Sequence, residues 1–78
     1  GAKVVTVDAR GMRCPWPALR LAKTMRAHSE ALLLADDPKA ESEAAALAAL
    51  HGWQLSVRRD GPIWHIRAAQ HPPTLTRP

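Results

Sequence analysis

The sequence contains no phenylalanine and no tyrosine, and a single cysteine among its 78 residues. With one thiol no internal disulfide can form, so the fold stands without covalent staples, and Cys14 is free unless it meets another molecule. The lack of Phe and Tyr removes the usual platforms for base stacking, and Trp16, Trp53 and Trp64 are not grouped in sequence, so direct RNA reading has no support here. No apolar run approaches the roughly 20 residues of a membrane span, and no basic segment followed by a long apolar one opens the chain. A soluble cytoplasmic protein that is not exported is expected. His28, His51, His65 and His71 show no zinc-site spacing and lie far in sequence from the only cysteine, so no metal is expected.

What is present is small and basic. The length allows one domain at most. Fifteen alanines fill much of the 46% apolar content, so the core is expected to be thin. A chain of this size buries only roughly 60% of the surface it exposes when unfolded, which leaves no room for a deep pocket. No large cofactor is expected, and any chemistry belongs on the surface. The net charge of +4, with eight Arg and three Lys, favours anionic partners such as RNA, acidic protein faces or acidic lipid.

The hydrophobic periods change along the chain in a readable order. Residues 3 to 8 are rich in β-branched side chains and predict a strand inside a sheet. From Pro17, Ala18, Leu21, Ala22 and Met25 recur at helical spacing, with Arg20, Lys23, Thr24 and Arg26 on other faces. Leu32, Leu33 and Leu34 suit a strand buried on both faces. Asp37 suits a helix cap, and a helix is predicted from Pro38 to His51 with Ala40, Ala44, Leu47 and His51 on one line and Gly52 as its stop. The period then becomes two. Trp53, Leu55 and Val57 precede an Asp60-Gly61 turn, and Trp64, Ile66 and Ala68 follow it, leaving Gln54, Arg58, His65 and Arg67 on an open face. Trp53 and Trp64 are expected in the core and Trp16 at a partner contact. The order predicts an α/β two-layer sandwich, βαβαββ, with a four-stranded mixed sheet and two helices on one face. One monomeric domain over residues 1–69 is expected, followed by a flexible, Pro-rich tail over 70–78.

The segment joining the first strand to the first helix carries the chemical information. A residue before Pro avoids the helical region, so Cys14 and Trp16 are expected to be extended, with the helix starting at Pro15 or Pro17. Cys14 then stands at a helix N-terminus. Free amides, the helix dipole and the nearby Arg10 and Arg13 all favour a thiolate, which predicts a pKa below that of free cysteine. Such a surface thiolate is a nucleophile that another protein can reach. The competing reading is an inert, buried cysteine acting as a small hydrophobe.

The run Val7-Asp8-Ala9-Arg10-Gly11-Met12-Arg13-Cys14-Pro15-Trp16-Pro17 resembles the small sulfur carriers of the TusA, SirA and YedF type. Their signature is a strand ending in Asp, a Gly, and then Cys-Pro-x-Pro. The resemblance continues through Ala35-Asp36-Asp37-Pro38 and Gly52-Trp53-Gln54-Leu55, and covers roughly residues 5 to 69. It implies a fold like the C-terminal domain of bacterial translation initiation factor three, and a Cys14 that carries a persulfide. Asp8, Gly11, Arg13, Pro15 and Pro17 form the supporting motif, Asp8 as a brace for the turn. The chain departs from the family pattern at Ala27-His28-Ser29-Glu30, where Pro-Gly is frequent, and at Glu43, where Asp is common; both bear on docking rather than on the cysteine.

A resemblance of this kind implies a donor protein, either a pyridoxal-phosphate cysteine desulfurase or a rhodanese, and an acceptor protein. The acceptor would serve tRNA thiolation, molybdenum-cofactor enzymes or sulfur oxidation. Any cofactor belongs to the donor. Without a resolving cysteine the chain must pass its sulfur on, so carrier describes it better than enzyme. Arg10, Arg13, Trp16, Arg20, Lys23 and Arg26 are the candidate partner contacts, by charge steering and by the exposed indole. The alternative is a regulatory module that binds RNA or protein through its basic helix face, with Cys14 structural or redox-sensing.

Overall fold

Alternation of small and branched apolar residues builds a sheet with one dry face. The computed structural model describes residues 4–70. The elements run β1 (Val5–Ala9), α1 (Trp16–Ala27), β2 (Glu30–Ala35), α2 (Ala40–His51), β3 (Gln54–Asp60) and β4 (Ile63–Ala69). The sheet order is β1-β2-β4-β3, with β1 and β2 parallel and the other pairings antiparallel. This is the expected four-stranded mixed sheet in βαβαββ order. Val7, Ala31, Leu33, Ile66 and Ala68 bury their side chains on the helix side. There α1 packs over β1 and β2, α2 over β4 and β3, and the helices touch each other.

Helix α1 presents Pro17, Ala18, Leu21 and Met25 to this core, close to the spacing expected. Helix α2 ends at Gly52, whose φ of 76° is the left-handed conformation that glycine adopts without a Cβ penalty. The amides of Gly52 and Trp53 both end on the carbonyl of Ala48. The Arg59 guanidinium lies over the Trp64 ring, 4.7 Å from its centroid, which covers an otherwise half-open indole.

Four expectations need correction. β1 lies at a sheet edge rather than inside, because the β3–β4 hairpin docks through β4 and takes the place on the far side of β2. Leu32 and Leu34 are only half-buried, since β2 is covered by helices on one face and open on the other. Trp16 is the first helical residue rather than extended, with Pro15 before it and Pro17 in the first turn. The buried line on α2 is Ala40, Ala44 and Ala48, while Leu47 is half-buried and His51 is exposed and stacked on Trp53. The open face does carry Gln54, Arg58, His65 and Arg67, with Arg67 paired to Glu30. The expected tail lies outside the described residues except for Gln70, which is held: its amide donates to Ser29 at 2.8 Å and its side chain to the Met25 carbonyl at 2.9 Å.

Candidate functional site

Two strand-to-helix turns meet at the same end of the parallel pair β1–β2, and Cys14 sits where they touch. The first turn is folded by its own residues. The amide of Met12 donates to the Ala9 carbonyl at 3.1 Å, and Gly11 between them has φ 84°. A Cβ at Gly11 would meet nothing within 4 Å, so the glycine is there for its left-handed backbone and not for space. Asp8 braces the turn from its start, accepting from the Arg10 amide and guanidinium at 2.8 to 3.2 Å. These bonds hold the exposed Asp8 carboxyl down to about 2.

The second turn supplies the carboxylates that lock the first. Asp36 accepts the Gly11 amide at 3.0 Å and lies 3.5 Å from the Arg13 guanidinium. Asp37 is buried; it accepts the Lys39 amide at 2.9 Å and the Cys14 amide at 2.5 Å. Both bonds pull its carboxyl below the ordinary range, the one from Lys39 more strongly. Asp37 is not the cap that the sequence suggested: Pro38 and Lys39 form a turn, Lys39 is the N-cap and α2 begins at Ala40, so Asp37 holds that turn through the Lys39 amide and also fixes the backbone of Cys14. The Trp16 amide closes on the Arg13 carbonyl at 2.9 Å around Cys14, and the Cys14–Pro15 peptide is cis.

The cysteine side chain is half-buried and donates its Sγ–H to Oε2 of Glu43, in the first turns of α2. Here the structure reverses a sequence expectation. The thiol is pushed up from its ordinary value, first by the hydrogen bond to Glu43, then by burial and by the charge of the same carboxylate. Lys39 pulls the other way and does not win. Arg10 and Arg13, expected to favour the thiolate, are turned to Asp8 and Asp36 instead.

The candidate partner residues divide. Trp16 is 61% exposed and Leu19 50%. With Arg20 and Lys23 they stand at i, i+3, i+4 and i+7 on α1, a stripe that starts two residues from Cys14. Arg20 and Lys23 line one surface hollow with Val5 and His28, whereas Arg26 lines another with His51 and Trp53. The basic helix residues therefore do not form one face. Arg10 and Arg13 lie on the turn itself, exposed and ion-paired. Sequence reasoning missed Glu43 as a thiol contact and Lys39 as its neighbouring cation; the family departure at Glu43 was the one signal available. Among the described residues, no three His, Cys, Asp or Glu side chains gather as metal ligands, and no helix is long and apolar enough to cross a membrane.

A two-layer βαβαββ domain whose only cysteine is fixed between its two strand-to-helix turns defines a small thiol-bearing protein. Residues 5–68 match the family model described as sulfurtransferase TusA, and the chain belongs to that family. The fold is similar to the crystal structure of a SirA-like protein from Desulfitobacterium hafniense. The TM-score is 0.78 at 21% identity, over 86% of this chain and 96% of that one. No curated protein matches the sequence.

Proposed function

We propose that the protein is a sulfur carrier that receives a sulfane sulfur on Cys14 from a donor protein and hands it to an acceptor protein. The observation that supports this reading is the setting of the chain's single cysteine. Cys14 has its backbone fixed by Asp37, its sulfur half-buried, and an open stripe of Trp16, Leu19, Arg20 and Lys23 beside it. Sγ of Cys14 attacks the outer sulfur of the donor's cysteine persulfide. The new S–S bond forms on Cys14, the donor's S–S bond breaks, and the donor cysteine leaves as a thiolate. An acceptor thiolate later removes the same sulfur by the same exchange.

In this reading Asp8, Gly11, Arg13, Pro15 and Pro17 shape the turn, Trp16 and Leu19 give apolar contact, and Arg20 and Lys23 steer acidic partners. The donor is a cysteine desulfurase or a rhodanese, and the acceptor a protein of tRNA thiolation, molybdenum-cofactor assembly or sulfur oxidation. Residues 1–69 act as one domain. The test is a transfer and chase: the protein is incubated with a cysteine desulfurase and cysteine labelled in its sulfur, then with excess unlabelled small thiol. Label bound to the wild-type chain, absent from Cys14→Ser and released by the thiol, is the expected result. Equal labelling of Cys14→Ser would overturn the reading.

A further inference from the structure

The three carboxylates of the two turns are each occupied by a cation or a backbone amide. Asp8 holds Arg10, Asp36 holds Gly11 and Arg13, and Asp37 holds the amides of Cys14 and Lys39. Glu43 has no such partner among the described residues. Its Oε2 faces the Cys14 thiol, and its Oε1 is buried with no hydrogen-bond partner. A buried carboxylate oxygen without a donor is costly, and structures keep few of them. An acceptor aimed at one reactive hydrogen, with no cation competing for it, is what proton abstraction from that hydrogen requires.

We propose that Glu43 is the proton acceptor of the carrier: Oε2 holds the thiol hydrogen of Cys14 at rest and takes it as Sγ attacks the incoming sulfur. This rests on the sulfur-carrier reading above. The step balances without an oxidant. The S–H bond of Cys14 breaks, its proton passes to Oε2, and its electron pair forms the new S–S bond. The donor's S–S bond breaks onto the donor sulfur, and the proton on Glu43 is then free to neutralise the departing thiolate. Between turnovers Glu43 keeps the cysteine as a thiol, in line with the upward push on that group. The charged groups that face the thiol are Glu43 from α2 and Asp37 and Lys39 from the second turn. Arg13 on the first turn is engaged by Asp36, and α1 brings no acidic residue in its first turn.

The test measures Cys14 alkylation by iodoacetamide against pH, and sulfur uptake from glutathione persulfide, in the wild type, Glu43→Gln and Glu43→Asp. Glu43→Gln keeps the shape and removes the charge. Its alkylation midpoint should fall by about one pH unit, with a rate near neutral pH about tenfold higher. Its sulfur uptake per unit of thiolate should fall about tenfold or more. Glu43→Asp keeps the charge, and should stay within about half a unit of the wild-type midpoint and retain most of the uptake. Thermal melts identify a variant that has lost its fold, and Glu43→Asp then decides. An unmoved or raised midpoint in Glu43→Gln would overturn the proposal, as would uptake that follows the thiolate fraction equally in all three proteins. Should the wild type take up no sulfur, the carrier reading falls and the abstraction step with it, while the alkylation midpoints still decide whether Glu43 holds the proton.

Discussion

Asp37 shows how much one side chain does in a domain this small. Its two oxygens accept the amides of Lys39 and Cys14, so it starts one turn and fixes the other. Asp37→Ala leaves both amides without that acceptor, and the melting temperature should fall by roughly 5 to 10 °C, read by circular dichroism. The pH dependence has a definite sign. The folded carboxyl titrates below its ordinary value, so its contribution is complete above the usual carboxylate range and is lost as pH falls through the depressed value. The gap between wild type and Asp37→Ala should therefore narrow as the solution becomes strongly acid. A gap of constant size would assign the effect to packing instead. The Asp-Pro pattern announced a break before α2, but it pointed to Asp37 as the cap, whereas the turn runs on through Pro38 and Lys39 is the N-cap. Its hold on Cys14 was not, because 23 residues separate them and only the docking of two turns brings them together. Glu43 was hidden for the same reason, and with it the direction of the thiol's shift.

At the scale of elements, α2 is shaped by small residues. Ala40, Ala44 and Ala48 recur every four residues and are buried, which lets the helix lie close to β3, β4 and α1. Ala44 is wholly buried, so Ala44→Leu forces overpacking and should cost about 1 to 3 kcal/mol in urea unfolding. A variant as stable as the wild type would contradict this close packing. The kind and order of the elements were legible because each has its own period and stop: the β-branched start of β1, the helical spacing of Leu21 and Met25, Gly52, and the Asp60-Gly61 turn. Sheet order was not. No local pattern states that the hairpin joins β2 through β4, and so β1 at an edge and the half-open Leu32 and Leu34 follow only from tertiary pairing.

Over the whole molecule the net charge of +4 is less informative than where the charge is left unpaired. The turns neutralise Arg10 and Arg13, and among the described residues Arg20 and Lys23 make no ion pair. They stand beside the exposed Trp16 and Leu19 on the side of α1 that leads to Cys14, while Arg26 lies on the other flank. Replacing Arg20 and Lys23 together by Glu should slow loading from a protein donor about tenfold at low salt, and the deficit should shrink as salt is added. Uptake from glutathione persulfide, which needs no docking, should be unchanged. Equal slowing with both donors would place the effect on the cysteine and not on an interface. The most direct test of the account is the intact mass of the purified chain after incubation with a cysteine desulfurase and cysteine, with and without reductant. The account predicts a gain of one sulfur atom that reductant removes and that Cys14→Ser never shows; no gain in the wild type, or the same gain in Cys14→Ser, would contradict it.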